Sequence, residues 1–158
     1  MERSIRTGIC FGFTSGVITT LGLMVGLHAG THSVPVVLGG ILTIAIADAM
    51  SDALGIHISE ESSNASTHQQ VWKTTISTFL SKFFMAMTFV LPVLLFPLLT
   101  AIWVSVFWGL TVVGLLSYYI ARSQGTRPLA VISEHLGIAL LVLIITHYVG
   151  VGVANLFR

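Results

Sequence analysis

Charge is scarce in this sequence: Asp, Glu, Lys and Arg together make up 8% of it, against about a quarter of an average soluble domain. With 54% hydrophobic residues and a mean hydropathy of +0.94, the chain is too apolar for a soluble domain of 158 residues, and an integral membrane protein is expected. Its seven Lys and Arg lie scattered between apolar stretches and leave a formal charge of only +1. That excludes the basic patch a nucleic-acid binder needs. Cysteine is nearly absent, and Cys10 alone excludes an internal disulfide and a CxxC or four-cysteine metal site within one chain. Cys10 reads as a small apolar packing residue. Catalytic signatures are missing as well: there is no HExxH, no GxxxxGK[ST], and GFTSG at 12–16 is not GxSxG. The candidate carboxylates of an aspartyl protease should face each other from different helices, and here they share one. No enzyme is expected.

What the sequence does contain is five apolar stretches, at about 8–27, 34–58, 71–96, 98–121 and 129–156, each long enough to cross the hydrocarbon core. The expected fold is therefore all-α, a single domain of five transmembrane helices. The first stretch exceeds a usual signal-peptide h-region and lacks a small-residue cleavage site, so it is expected to be retained. Its glycines at 8, 12 and 16 and at 22, 26 and 30 form two small-xxx-small ladders that admit a neighbouring helix closely. Close packing there brings Thr14, Ser15, Thr19 and Thr20 against a neighbour, where the hydroxyls either line a polar route or bond the preceding turn's carbonyls. A turn is expected over 28–34, because Gly30 and the local composition argue against helix; His28 and His32 would suit a metal only if helical. Pro35 opens the second span. The polar run SEESSNASTHQQ over 59–70 reads as a solvated connector, and Pro92 and Pro97 kink or end the third span. Trp103 and Trp108 towards one end of the fourth span, with Tyr118 and Tyr119 towards the other, resemble aromatic belts.

Orientation follows from the basic residues. Arg3, Arg6, Lys73, Lys82, Arg122 and Arg127 fall on one side of a five-span chain and Arg158 alone on the other, which predicts a cytoplasmic N-terminus and an outside C-terminus in the cell membrane. The Asn64-Ala65-Ser66 sequon then lies in the cytoplasm and is discounted.

The second span carries the strongest functional signal. In ADAMSDALGIHISEE, Asp48 and Asp52 stand one turn apart on the same face of an apolar helix. Two such residues cost about 5 to 7 kcal/mol on insertion scales unless water, a partner or a cation receives them. Carboxylates suit hard divalent cations, Mn2+, Mg2+ or Fe2+, and not soft Cu(I). His57, Glu60 and Glu61 are three and four residues apart and form either a metal-admitting site at the cytoplasmic end or an ordinary polar helix end. Ser15, Thr19 and Ser51 are expected along the ion path. Met50, two residues from each Asp, points elsewhere and reads as packing. Glu134, in the second turn of the last span, either bridges to Lys82, the favoured reading, or relays protons, with His135 beside it as an assistant. Lys82 is placed near the interface, snorkelling or paired.

GFTSGVITTLGLMVGL in the first span and DALGIHISEES at the end of the second resemble the vacuolar iron transporter family, as does the order of five spans. The resemblance implies export of Fe2+ or Mn2+ from the cytosol by a homodimer, with the metal as cargo and no cofactor. Three differences accompany it. The family's Asp-Gly pair in the first span is Ser15-Gly16 here, its second-span Met falls near Asp52, and a short connector stands in place of the cytosolic metal-binding domain of plant and fungal members.

Five short spans are too few to enclose a hydrated path, and the glycine ladders offer a tight contact. A homodimer is therefore expected, with the first two spans of each subunit around the two-fold axis. Crowded carboxylates hold protons until a cation arrives, so metal binding should expel protons and couple transport to a pH gradient. The alternatives are a passive cation channel and a non-transporting membrane scaffold.

Overall fold

The computed structural model describes residues 2–63 and 66–157. Met1, Asn64, Ala65 and Arg158 lie outside the described residues, and with them most of the sequon and the one basic residue expected on the far side. Six helices follow one another: α1 (Arg3–Thr31), α2 (Val34–Ser62), α3 (His68–Thr88), α4 (Val90–Leu95), α5 (Leu98–Gln124) and α6 (Pro128–Leu156), with no strand among the described residues. Helices α3 and α4 make one span, His68–Leu95, so five helical segments are long and apolar enough to cross a membrane. The chain is an all-helical, multi-pass membrane protein. At 1.5 Å per residue, spans of 27 to 29 residues reach about 40 Å, beyond the roughly 30 Å hydrocarbon core and into both headgroup layers.

Local chemistry sets the joints. Pro92 has no N–H for the Thr88 carbonyl, and its ring crowds that carbonyl; the helix breaks at Phe89, whose N–H reaches back only three residues to Ala86 O at 3.1 Å. Phe96 is extended before Pro97, as a residue preceding proline prefers. Thr67 starts α3 with a capping box, its N–H donating to Gln70 Oε1 at 2.8 Å. Gly125, at φ 68°, closes α5 in the left-handed region. One expectation fails here. The segment 28–34 is not all turn, because α1 continues through Gly30 to Thr31 and only His32 turns left-handed, at φ 51°. Gly30 is kept helical by packing, since its missing side chain lets the Gly150 backbone of α6 approach; a Cβ at Gly30 would lie 3.1 Å from Gly150 O.

Helix α1 is the centre of the bundle, packing on α2, α3, α5 and α6. Lipid tails are as apolar as leucine, so backbone proximity rather than solvent exclusion holds such helices together. The two ladders do this inside the chain. Gly8, Gly12 and Gly16 receive α3, and Gly22, Gly26 and Gly30 receive α6. The ladders therefore give no support to a contact between subunits, contrary to the expectation drawn from them. The free small-residue face is on α2, where Gly39, Thr43, Ala47, Ser51 and Gly55 are all exposed at a spacing of four. The opposite face of α2, Val37, Ile41, Ala45, Ala49 and Ala53, is buried.

Candidate cation site at the middle of the membrane

Asp48 is the central residue of α2, and Lys82 is fifteenth of the 28 in its span, so both stand at mid-membrane depth. They meet. Lys82 Nζ lies 2.5 Å from Asp48 Oδ2 and 2.5 Å from Asp52 Oδ2. It also donates to Ser15 Oγ of α1 at 2.9 Å. Ser15 in turn donates to Asp52 Oδ2 at 2.6 Å, closing a triangle of hydroxyl, ammonium and carboxylate. Asp48 Oδ2 sits off the hydrogen-bonding directions, so its contact with Lys82 is an ion pair without an aligned hydrogen bond.

Packing dictates this meeting. The first glycine ladder draws α3 onto α1 so tightly that a Cβ at Gly12 would fall 2.1 Å from Ser81 Oγ and one at Gly16 3.2 Å from Lys82 O. Lys82 is thereby buried beside Ser15. Helix α2 lays its alanine face on the same bundle, and its i, i+4 carboxylates flank that face. The result is asymmetric: the Lys82 side chain is 2% exposed, whereas those of Asp48 and Asp52 are 28% and 23% exposed. The ammonium plugs the site from within, and the carboxylates stay open on the α2 side.

Two sequence expectations are corrected by this geometry. Lys82 does not snorkel at the interface or bridge to Glu134; it pairs with both aspartates and offsets one of their two charges. The partner that the insertion cost of the two aspartates calls for is this ammonium, which suits a structural role as well as a cation site. The signal for the pairing was legible. A lysine centred in STFLSKFFMAM is as costly in hydrocarbon as an aspartate, and the opposite charges at equal depth in the adjacent span were its nearest match.

The remaining candidates do not converge on the site. His57 turns to α3, with Nδ1 2.9 Å from Thr75 Oγ1 and its ring edge-on to Trp72. Glu60 accepts a hydrogen bond from Ser66 at 2.6 Å, and Glu61 is exposed. Among the described residues no three His, Cys, Asp or Glu side chains are grouped to hold a metal. Thr19 back-bonds to Ser15 O at 2.9 Å, and Ser51 lies on the exposed face of α2. His135 Nδ1 meets Ser117 Oγ of α5 at 2.8 Å, while Glu134 is exposed. Neither contacts Lys82, Asp48 or Asp52. Met50 is 58% exposed and takes no part in the triad, so it points away from the aspartates and lies at the surface of the bundle. His28 and His32 have ring centroids 5.0 Å apart.

Five apolar helices, of which α1, α2 and α3 meet at a part-exposed ion triad, define a multi-pass membrane protein with charge inside its spans. Compared with protein-family models, with curated proteins and with solved structures, the chain matches none.

Proposed function

We propose that this protein carries a divalent metal ion across the membrane through the site formed by Asp48, Asp52 and Ser15. The observation behind this reading is that two carboxylates and a hydroxyl at mid-membrane depth already hold a cation, the Lys82 ammonium, and remain part-exposed on one side. Oxygen donors of this kind suit hard divalent ions, and transporters place their sites near the bilayer midplane. The resemblance of the first two spans to the vacuolar iron transporter family supports Fe2+ or Mn2+ as the cargo, moved out of the cytoplasm with an N-inside, C-outside chain in the cell membrane.

Part-exposed aspartates at this depth are costly against lipid, and the small residues of α2 lie beside them. This favours a homodimer that meets along Gly39, Thr43, Ala47, Ser51 and Gly55 and so encloses the path between two copies of α2. Counterflow of protons from an acidic outer side would displace the metal outward and reset the carboxylates. An imposed pH gradient, acidic on the outer side, should then drive transport.

A specific observation also favours a second reading. An ion pair that ties α1, α2 and α3 together is what a static clamp in a non-transporting scaffold would use. Reconstituted vesicles loaded with a metal-sensitive dye separate the two. Transport predicts Mn2+ or Fe2+ uptake that collapses in Asp48→Asn and in Asp52→Asn, and a flat trace for the unaltered protein with every divalent ion would favour the clamp.

A further inference from the structure

We infer that Lys82 is a valence filter: its ammonium is a tethered monovalent cation seated on the Asp48 and Asp52 carboxylates, which a free divalent ion can displace and a free monovalent ion cannot. The inference rests on the metal-transport reading above and goes beyond it, by naming the residue that sets which charge the site accepts. Nζ occupies the point where oxygens of both aspartates and of Ser15 converge, at 2.5, 2.5 and 2.9 Å. A cation arriving at the part-exposed carboxylates competes with the ammonium for the same two negative charges. Replacing the ammonium with Na+ or K+ exchanges one unit charge for another, so the Coulomb energy of the site gains nothing while the entering ion loses its hydration. A divalent ion doubles the attraction to both carboxylates at similar distances, and only then is displacement favourable.

The side chains are suited to such an exchange. Lysine carries a compact point charge on a flexible four-carbon stem and can withdraw with its charge intact, whereas arginine would lock the carboxylates in a planar fork. With the ammonium gone, Ser15 still donates to Asp52 and keeps one carboxylate oriented. The tether makes the competing charge always present, independent of salt in the surrounding water.

Equilibrium Mn2+ binding to the protein in lipid nanodiscs, read from the electron paramagnetic resonance signal of free Mn2+, tests this when run in NaCl and in choline chloride at matched ionic strength. The unaltered protein should give the same Mn2+ curve in both salts. Lys82→Met should bind Mn2+ about tenfold tighter or more, and its curve should weaken in NaCl relative to choline. If Lys82→Met binds Mn2+ no tighter than the unaltered protein and the two salts still agree, the filter is overturned while the metal reading stands. If neither protein binds Mn2+, the metal reading fails and the filter with it. Should Lys82→Met not fold, the unaltered protein supplies the measurement, because Lys73 and Lys82 are its only lysines. Amidination with ethyl acetimidate, followed by mass spectrometry, should label Lys82 several-fold faster at saturating Mn2+ with Lys73 unchanged. Lys82 equally protected with and without saturating Mn2+ would overturn the inference.

Discussion

The two ends of α1 pack by the same device and carry different chemistry. From Gly8 to Gly16 it receives α3, and beside that seam lie Ser15, Lys82, Asp48 and Asp52. From Gly22 to Gly30 it receives α6 through Thr146 and Gly150, and the seam is uncharged: a Cβ at Gly26 would lie 3.1 Å from Thr146 O, and one at Gly150 2.1 Å from Gly26 O. The α6 seam shows that close helix contact in this bundle needs glycine and no ions. Charge at the α3 seam is therefore surplus to packing, and in hydrocarbon it is a costly surplus.

Breaking the charged seam should have the largest effect. Lys82→Ala leaves two carboxylates without their counter-charge and should destabilise the protein by about 3 to 5 kcal/mol, measured by unfolding in detergent against the unaltered chain. The uncharged seam should be sensitive to volume instead. In Gly150→Ala the new Cβ meets the Gly26 carbonyl, a backbone atom that cannot swing away, so a loss of about 3 kcal/mol, the upper end for overpacking, is expected; a change under about 1 kcal/mol would show that α6 is loosely held. Ser15→Ala removes a hydroxyl bonded to both charges and should cost about 1.5 to 3 kcal/mol, with added loss of metal affinity if the hydroxyl orients Asp52 for the cation. Glu134→Gln should be the smallest, within about 0.5 kcal/mol, because Glu134 is exposed and has no partner among the described residues. A large effect on pH-driven transport from that variant would restore it as a relay.

The five spans were legible because each is a long apolar run, though the first helix, Arg3–Thr31, overruns the apolar run over 8–27 at both ends. The extension of α1 through Gly30 was not, since local composition says turn, and only the facing Gly150 makes helix the better solution. The aspartates were legible by cost alone. Their partner is not uniquely legible, because a lysine stem can equally snorkel to the interface and Glu134 is a further acidic partner open to it. A single chain read in order gives the depth of each charge, but not which spans are neighbours; α1 brings α3 next to α2 through glycines whose partners the sequence does not name. The second ladder illustrates the same gap: its spacing predicts a close helix contact, and α6 of the same chain fills it.

Whether the charged seam is a site or a clamp can be decided without breaking the fold. The triple variant Asp48→Asn, Asp52→Asn, Lys82→Met removes every charge of the triad and nearly preserves its shape, a replacement that tends to be neutral or stabilising for buried ion pairs. In vesicles containing a metal-sensitive dye, the transport account predicts a folded protein with Mn2+ uptake no greater than that of empty vesicles. Uptake equal to that of the unaltered protein would contradict it and leave the triad as a clamp.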